Sequence, residues 1–523
     1  MGNISAKTLP GIFFEQANSL KDKPLFWSKK EGFWEGVTWS DAAVQVKKLA
    51  SVLQSYGVKK GDRVLIASEN RPEWAISDLA IMSLGAIVVP AYTSNTEEDN
   101  NYLLTHSQAK LAITSGGNVA SRLCLAADSN KFIKNIILID ADPRNFTVKG
   151  CKILSWNEEI KKVDIDSKFE KSIEKLSDED VCCFIYTSGT GGRPKGVMLT
   201  HKSIFSNILA CSDVIKDVKI EEKVFLSLLP LSHAYEHTCG FHWPIFLGAE
   251  IYYSESTEAV AQNLQDVKPT LMIAVPRLYE VLYSRIVNGI KAKGGISEYL
   301  FKTAVKLGRK KLENQNLLPH EWLLDKLVER LVRQKVKLRL GGRLRYFVSG
   351  GAALNYEVGS FFLGLGVGIL QGYGQTEASP LISVNRPNLI KIDTVGPAVL
   401  GVETKVDEFG ELLVRGNLVM KGYWNDEVAT KQAIKKGWLH TGDIVEFDKD
   451  NYIKITGRKK EIIVNSGGDN IAPTRVEGIL AIENEIEQVM VYGDGHPWLS
   501  AVIVPSDEII KSLNNDKKKI KEK

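Results

Sequence analysis

The stretch Tyr186-Thr187-Ser188-Gly189-Thr190-Gly191-Gly192-Arg193-Pro194-Lys195-Gly196 directly follows the apolar run Val181-Cys182-Cys183-Phe184-Ile185. Small hydroxyl residues, glycines and a lysine at the end of a strand predict a flexible loop that closes over phosphate oxygens. Backbone N–H groups and hydroxyls can donate hydrogen bonds there, glycines permit close approach, and Lys195 supplies positive charge. The loop is not a P-loop, which needs Gly-Lys-Ser/Thr opening a helix, because Pro194 precedes the lysine. A glycine-rich surface turn is the other interpretation, and the length and composition of the pattern disfavour it.

Length and composition limit the class of protein. A chain of 523 residues is too long for one small core and predicts two or more domains. The hydrophobic fraction of 44% and the charged fraction of 25% are ordinary for a globular protein, which excludes collagen and coiled coils and gives no sign of disorder. A net charge of +4 is too small to argue for a nucleic-acid partner.

Cysteine usage and apolar runs bear on location. The six cysteines lack the spacing of metal ligands or of a disulfide framework, so we expect reduced thiols. The most apolar stretch, residues 74–89, contains Asp78 and is shorter than the roughly 20 residues that a membrane-spanning helix needs. No targeting segment is evident, and the predicted location is cytoplasmic.

Alternating strand and helix patterns run through the first 400 residues. Residues 62–67 and 85–90 are predicted strands, the second ended by Pro90, and residues 72–84 have helical spacing. Further strands are predicted at residues 136–139 and 344–349. Such alternation predicts parallel sheets covered by helices.

Residues 285–345 differ from their surroundings because they carry 16 Lys and Arg against 5 Asp and Glu. Apolar residues recur there at helical spacing, and a solvated basic helical face is one interpretation. The functional interpretation is peripheral contact with an anionic membrane surface. The apolar positions are Leu323, Leu324, Leu327, Val328 and Leu331.

The pattern changes to short β segments from Gly401. Residues 410–416, 444–447 and 452–456 are predicted strands of a β-rich subdomain, and another unit begins after Arg458.

Two polar stretches near this part of the chain are candidate ligand contacts. In residues 371–377 an aromatic side chain lies between glycines and is followed by a carboxylate that can hold Mg²⁺. Asp443, predicted at the start of a strand, offers two carboxylate oxygens to the two hydroxyl hydrogens of a ribose.

Together these stretches resemble the adenylate-forming (AMP-binding) superfamily over nearly the whole length of the chain. The usual loop of that family is Tyr-Thr-Ser-Gly-Thr-Thr-Gly-x-Pro-Lys-Gly, and this chain differs by having Gly191 for the second threonine, which removes one hydroxyl. The resemblance implies an α/β fold with a large N-terminal adenylation domain, residues 1–458, built of two stacked α/β sheets. It also implies that residues 401–458 form the β-rich subdomain and residues 459–523 a small, incomplete α+β C-terminal domain.

The resemblance also assigns roles to individual residues. Tyr373 would stack on adenine, Thr376 would contact the α-phosphate, and Asp443 with Arg458 would hold the ribose. The implied catalytic residues are Lys195, Thr376 and Glu377, and the implied metal ligands are Thr187 and Glu377. The full implied ATP- and AMP-binding set is Thr187, Ser188, Gly189, Thr190, Gly191, Gly192, Lys195, Gly351, Ala352, Gln371, Gly372, Tyr373, Thr376, Asp443 and Arg458.

The acyl and CoA sides are implied by three further stretches. His233, inside residues 229–237, matches the family histidine that lies beside the carboxylate and gates the acyl pocket. Residues 70–74 and 275–280 are similar to long-chain members of the family. Lys460 stands at the hinge position, and Gly467 with Gly468 match the loop that faces the pantetheine channel of CoA.

These parts imply one reaction. Carboxylates do not react with thiols because the leaving group would be oxide, whereas attack on the ATP α-phosphate gives an acyl-adenylate with AMP as a good leaving group. Mg²⁺ and the phosphate loop would neutralise charge on the transferring group. The implied function is a ligase that joins a long-chain fatty acid to CoA, with ATP, CoA and fatty acid as its partners.

The C-terminal stretch departs from the family pattern. The near-terminal lysine that reaches the α-phosphate has no match, because the lysines of residues 516–523 lie in a polar tail without the expected neighbours. A truncated chain is therefore expected. Two other functions stay open: a fatty-acyl-AMP ligase that loads a carrier protein, and a catalytically impaired remnant that binds nucleotide. An oxidoreductase is disfavoured because no Gly-x-Gly-x-x-Gly opens a βαβ unit.

Overall fold

A computed structural model describes residues 4–166, 169–187, 193–313, 315–461, 463–467, 470–471, 473–481, 483 and 485–513. The strands of these residues are β1 (Pro24–Lys30), β2 (Phe33–Thr38), β3 (Arg63–Ala67), β4 (Ile87–Ala91), β5 (Leu111–Thr114), β6 (Asn135–Leu138), β7 (Lys152–Ser155), β8 (Val181–Thr187), β9 (Lys195–Thr200), β10 (Val224–Ser227), β11 (Glu250–Tyr253), β12 (Leu271–Ala274), β13 (Tyr346–Ser349), β14 (Gly368–Gly374), β15 (Leu381–Val384), β16 (Glu403–Val406), β17 (Glu411–Arg415), β18 (Gly422–Tyr423), β19 (Ile434–Lys435), β20 (Trp438–Phe447), β21 (Ile453–Arg458), β22 (Ile463–Val464), β23 (Asn470–Ile471), β24 (Ile486–Tyr492) and β25 (Ser500–Pro505).

Helices occupy most of the connections. The α-helices are α1 (Leu9–Leu20), α2 (Trp39–Ser55), α3 (Pro72–Ser83), α4 (Glu97–Ser107), α5 (Gly117–Asp128), α6 (Trp156–Lys162), α7 (Phe169–Glu174), α8 (His201–Val214), α9 (Trp243–Leu247), α10 (Val260–Val267), α11 (Pro276–Lys291), α12 (Gly295–Leu312), α13 (Pro319–Val328), α14 (Gln334–Arg339), α15 (Tyr356–Gly364), α16 (Glu427–Ala433), α17 (Pro473–Leu480) and α18 (Asp507–Ser512). Short 3-10 helices span Pro143–Asn145 and Thr376–Ala378, and π-helices span Glu236–His242 and Glu329–Arg333.

Two eight-stranded sheets form the large N-terminal part. The first has the order β15-β14-β13-β12-β10-β11-β1-β2, and the second has the order β18-β9-β8-β4-β3-β5-β6-β7. Their central strands are parallel, as the alternating pattern predicts. Both ends of the first sheet and the β18-β9-β8 end of the second pair antiparallel, whereas β6 and β7 at the other end of the second sheet are parallel. Helical crossovers are what parallel neighbours require, so the α/β prediction is confirmed.

The main hydrophobic core lies between the two sheets. In β3, Val64 and Ile66 belong to this core, while the intervening Leu65 and Ala67 belong to a separate cluster on the other face. In β12 of the first sheet, the residues at positions 271 and 273 join the same central core, and those at 272 and 274 face a third cluster. Successive side chains of a strand point to opposite faces, so the stacked arrangement follows from strands that are apolar on both faces.

Three sequence expectations are refined. The strand predicted over 85–90 continues through Pro90 to Ala91, because proline removes only one backbone donor near the strand's end. Asp443 lies inside β20 and not at a strand start. The apolar stripe of residues 285–345 is divided: Val328 is buried, while Leu323 is 64% exposed.

The later residues form smaller sheets. Strands β16, β17, β19, β20 and β21 form a five-stranded antiparallel sheet, as the β-rich pattern predicts. Beyond β21, the described strands pair only as β22 with β23 and β24 with β25, accompanied by α17 and α18. This mixed content agrees with the predicted small α+β unit.

Candidate active site

The predicted phosphate loop connects two antiparallel strands. Strands β8 and β9 pair so that Thr187 lies opposite Lys195 and Tyr186 lies opposite Gly196. Residues 188–192, which include the predicted Ser188, Gly189, Thr190, Gly191 and Gly192, lie outside the described residues. Lys195 begins a strand and not a helix, so the distinction from a P-loop is confirmed.

Lys195 is placed beside an aromatic residue from far along the chain. Strand β18 pairs antiparallel with β9, which sets Tyr423 opposite Val197. The Nζ atom of Lys195 lies 5.0 Å from the centroid of the Tyr423 ring and 3.9 Å from Oδ2 of Asp426. Its side chain is 40% exposed, so the ammonium group is held near the surface and available to an anion.

Glu377 contacts the hydroxyl group of the same tyrosine. The Tyr423 hydroxyl donates a hydrogen bond of 2.8 Å to Oε1 of Glu377, and the Met420 N–H donates to the Glu377 carbonyl at 2.8 Å. Burial and the adjacent Glu377 carboxylate raise the pKa of Tyr423, which keeps its phenol protonated as a donor. Tyr423 therefore joins the predicted catalytic lysine to the predicted catalytic carboxylate.

Backbone packing after β14 requires a glycine. A Cβ atom on Gly374 would lie 1.9 Å from the carbonyl oxygen of Pro380, so no side chain fits there. This close approach leads directly into the short helix that carries Thr376, which is buried, and Glu377. The glycine of the predicted Gly-Tyr-Gly stretch thus aims the two residues that follow it.

The predicted ribose pair is brought together across β20 and β21. Asp443 lies opposite Arg458, whose Nε donates a 2.9 Å hydrogen bond to Oδ1, and the Tyr373 hydroxyl donates to Oδ2. Asp443 is 2% exposed, and this burial raises its carboxyl pKa while Tyr373 and Arg458 act in the opposite direction. Each carboxylate oxygen retains a lone pair that can accept a further hydroxyl hydrogen.

Other predicted nucleotide residues are placed at the carboxyl ends of adjacent parallel strands. Gly351 and Ala352 follow β13 and are exposed, and Gln371 lies opposite Ser349 in the register of β13 with β14. The Gln371 amide donates to the Thr394 carbonyl at 3.0 Å and accepts from the Leu354 N–H at 3.0 Å. The Gln371 side chain therefore links the segment that contains Leu354 to the segment that contains Thr394. The half-buried Gly372 follows it in β14.

His233 has one ring nitrogen fixed by the backbone. The Tyr235 N–H donates a 3.1 Å hydrogen bond to Nδ1 of His233, and the His233 N–H donates to the Pro230 carbonyl. Because Nδ1 accepts, a neutral His233 ring carries its hydrogen on Nε2. The residue is exposed, so this N–H can meet a carboxylate or phosphate oxygen.

The predicted hinge follows a tethered backbone. The Lys459 N–H donates to the Gly442 carbonyl at 2.8 Å, and its Nζ lies 3.0 Å from Oε2 of the buried Glu411. Lys460 comes next, in an exposed turn after β21. Gly467 also lies in an exposed turn, and the predicted Gly468 is outside the described residues.

Sequence reasoning missed Tyr423 and Asp426. The available signal was the stretch Gly422-Tyr423-Trp424-Asn425-Asp426, in which adjacent aromatic residues precede two turn formers. Gly422 has a φ of +143°, and a Cβ there would lie 2.8 Å from the Thr430 side chain. The stretch could not be connected with Lys195 because β9 and β18 are more than 200 residues apart in sequence.

The chain matches a family model described as AMP-binding enzyme over residues 13–424. The long-chain-fatty-acid–CoA ligase FadD15 of Mycobacterium bovis is 33% identical over 504 residues, which span 95% of this chain and 82% of that protein. Long chain acyl-CoA synthetase 3 of Arabidopsis thaliana is 32% identical over 501 residues, which span 91% of this chain and 74% of that protein.

Solved structures share the fold. A fatty acyl CoA synthetase of Mycobacterium tuberculosis has a TM-score of 0.69 at 21% identity and covers 98% of this chain, which in turn covers 92% of it. A benzoate CoA ligase from Burkholderia xenovorans LB400 has a TM-score of 0.73 at 21% identity, and the match covers 96% of this chain and 90% of that one.

None of the helices in the described residues is long and apolar enough to cross a membrane.

Proposed function

This chain belongs to the AMP-binding enzyme family, and from that membership we propose that it is a long-chain fatty acid:CoA ligase. The observation that carries the proposal is the joined site: Tyr423 contacts both Lys195 and Glu377, and Arg458 donates to Asp443. The choice of a long-chain fatty acid as substrate follows the names of relatives that are 32–33% identical. ATP, CoA and a fatty acid are the substrates.

The reaction proceeds in two substitutions. A carboxylate oxygen of the fatty acid attacks the α-phosphorus of ATP, the bond to the β-phosphate oxygen breaks, and pyrophosphate leaves. The CoA thiol, losing its proton, then attacks the acyl carbon, and AMP leaves with the bonding electrons. The products are acyl-CoA, AMP and pyrophosphate. The first step is accelerated by charged groups that are already fixed in position before the reaction begins.

Nucleotide recognition rests on the carboxylate of Asp443. Its two oxygens would accept hydrogen bonds from the two ribose hydroxyls, while Arg458 donates to one oxygen and the Tyr373 hydroxyl donates to the other. The Tyr373 ring presents an apolar surface to adenine, and Gly351 with Ala352 leaves the strand ends free of bulky side chains. We assign Thr376 and the loop after Thr187 to the phosphates.

We assign Lys195 to the phosphate oxygens and Glu377 to the Mg²⁺ that accompanies them. Lys195 supplies a cation at the strand end, and its neighbours Tyr423 and Asp426 keep the side chain directed. The Glu377 carboxylate and the Thr187 hydroxyl are the hard oxygen donors that Mg²⁺ prefers, so these residues fit the ion. Bound there with ATP, Mg²⁺ would neutralise phosphate charge, while Tyr423 orients the carboxylate.

The domain division is proposed at Arg458. Strand β21 ends there, and the described strands beyond it pair only with one another, which supports residues 459–523 as a separate unit. Lys460 is the proposed hinge, and Gly467 with Gly468 the proposed loop toward CoA. The β-rich subdomain is residues 401–458, although β18 within it pairs with the second large sheet.

Peripheral membrane contact is proposed for the basic helices of residues 285–345. Large apolar side chains stand exposed among the lysines and arginines, and Lys326 Nζ lies 3.7 Å from the Trp322 ring centroid. A helix with exposed apolar and basic residues suits an anionic lipid surface, where a long-chain acid would be delivered. The exposed large apolar residues are Ile296, Tyr299, Leu312, Leu318, Trp322, Leu323, Leu327, Leu331 and Leu338.

The test is AMP release from palmitate, ATP and Mg²⁺, with and without CoA. Release that requires both palmitate and CoA, with palmitoyl-CoA as product, is the expected result. Acyl transfer to a phosphopantetheinylated carrier in place of CoA would instead identify a carrier-loading ligase. Nucleotide binding without any acyl-adenylate would identify an impaired remnant, and either outcome contradicts the proposal.

A further inference from the structure

Two stretches far apart in sequence are in contact next to His233. The first is Asn70 with α3, and the second is the block from Ser227 to His242. The Asn70 amide donates to the Leu229 carbonyl at 2.7 Å, and its oxygen accepts from the Leu231 N–H at 3.0 Å. Asn70 thus holds the segment that leads into His233 from a neighbouring element.

A buried ionic hydrogen bond makes the second connection. Oδ1 of Asp78, on α3, lies 2.9 Å from Nε2 of His237, and both residues are 0% exposed. No lysine or arginine among the described residues pairs with Asp78, so His237 is its main electrostatic partner. A carboxylate buried in this way is tolerated because a histidine donor faces it directly.

The second histidine of the cluster is less well aligned. Nε2 of His242 lies 3.3 Å from Oδ2 of Asp78, yet neither atom has a hydrogen-bond partner among the described residues. His237 and His242 are five residues apart in the π-helix, whose i to i+5 bonding sets such residues on nearly the same face. The unusual helix therefore turns both rings toward Asp78, but only His237 forms the bond.

The π-helix transmits this anchor to His233. The His237 N–H donates to the His233 carbonyl at 3.0 Å, and Tyr235, between them, holds the His233 ring. On its other side, the Thr238 hydroxyl donates to the Ser379 carbonyl at 3.0 Å, just after the helix that carries Glu377. His233 is consequently set by a segment fixed at both α3 and the nucleotide side.

We propose that Asp78 and His237 are positioning residues that fix the place of the His233 ring relative to the acyl carboxylate. This inference rests on the proposed ligase function. It assigns the buried pair an effect on acyl binding that is separate from its contribution to folding. His242 shares the burial and the cluster but not the bond, which makes it the matched control.

The experiment is steady-state kinetics of three variants with palmitate and ATP varied separately. Asp78→Val combined with His237→Leu replaces both members of the buried pair with apolar side chains of similar volume. The chain should still fold, because replacing a whole buried ion pair in this way is often tolerated. We expect the KM for palmitate to rise about tenfold and that for ATP to change less than about twofold, the effect of one lost charged hydrogen bond at one site. His237→Gln, which keeps a donor toward Asp78, should recover most of this loss.

His242→Phe should leave the KM for palmitate within about twofold of the wild-type value, since it removes only a poorly aligned 3.3 Å contact with Asp78 and leaves the bond from His237 in place. The inference is overturned if the folded double variant keeps a normal palmitate KM, or if His242→Phe raises it equally. It is also overturned if palmitate and ATP constants rise together. A wild-type chain that releases no AMP with palmitate and CoA would contradict the ligase function itself, which is a separate result.

Discussion

The proposed nucleotide side and the proposed acyl side of this molecule are held in different ways. On the nucleotide side, Lys195 and Arg458 are 40% and 54% exposed and contact groups at the ends of strands. On the proposed acyl side, Asp78 and His237 are fully buried, and their proposed effect on His233 passes through a π-helix. The cations proposed to meet the nucleotide are accessible, although Asp443 beside Arg458 is only 2% exposed, whereas the proposed positioning pair is fully buried and need not meet the substrate.

The largest effect is expected on the nucleotide side, at Glu377. Glu377→Gln keeps the hydrogen-bond acceptor for Tyr423 but removes the charge, so acyl-adenylate formation should fall by about 10²-fold or more with little change in fold. The measurement is single-turnover formation of palmitoyl-AMP. Glu403→Gln, which alters an exposed carboxylate paired with Arg415, is the control and should keep the wild-type rate. Normal adenylation by Glu377→Gln would place the magnesium site elsewhere.

Asp443→Ala should weaken ATP binding. The change removes an acceptor for both ribose hydroxyls, each hydrogen bond to a charged acceptor contributing about 1.5–3 kcal/mol. ATP with Mg²⁺ should raise the melting temperature of the wild-type chain, and this rise should shrink in the variant. An unchanged dissociation constant for ATP would remove the ribose assignment from Asp443.

Tyr423→Phe should produce a smaller loss on the same side. The variant keeps the ring beside Lys195 and deletes only the hydroxyl that donates to Glu377. One neutral-to-charged hydrogen bond at a partly exposed site corresponds to about a 3- to 30-fold lower adenylation rate. ATP affinity measured by calorimetry should stay constant. A loss of ATP affinity without a loss of rate would show that Tyr423 serves binding and not Glu377.

The smallest effect is expected from Glu236→Gln, in the buried π-helix, where the change concerns the pH dependence of stability. Burial raises the pKa of Glu236 from its usual 4.5 to about 8, so the folded chain keeps a proton that the unfolded chain loses. Stability should therefore fall as pH rises from 4.5 toward 8, by at most about 1.4 kcal/mol per pH unit. Urea unfolding at pH 5 and pH 8 should show a smaller fall for Glu236→Gln. Equal falls would mean that other groups govern this dependence.

Most of the fold could be predicted from the sequence because its signals are local. The spacing of apolar residues predicted β3, α3, β17 and β21 with errors of one or two residues at their ends, whereas β20 begins at Trp438, six residues before the predicted start at 444. Pro90 was predicted to end its strand because its missing donor is visible in sequence, whereas the register that carries β4 to Ala91 is not. The position of Asp443 inside β20 depends likewise on pairing with β21.

The candidate site was predictable only where a motif carried it. Tyr373, Asp443 and Arg458 were expected together, and the structure brings them into contact. The link from Tyr423 to Glu377 was missed because it depends on β18 crossing from the β-rich subdomain to β9. The pair of Asp78 and His237 was missed for the same reason, since 159 residues separate them and each looks ordinary in its own segment.

The separation of the two sides is tested most directly by measuring KM for ATP and for palmitate in Asp443→Ala and in the double variant Asp78→Val, His237→Leu. Asp443→Ala should raise the ATP constant and leave the palmitate constant near its wild-type value. The double variant should do the reverse. If each variant raises both constants by the same factor, the two sides are not held independently of each other.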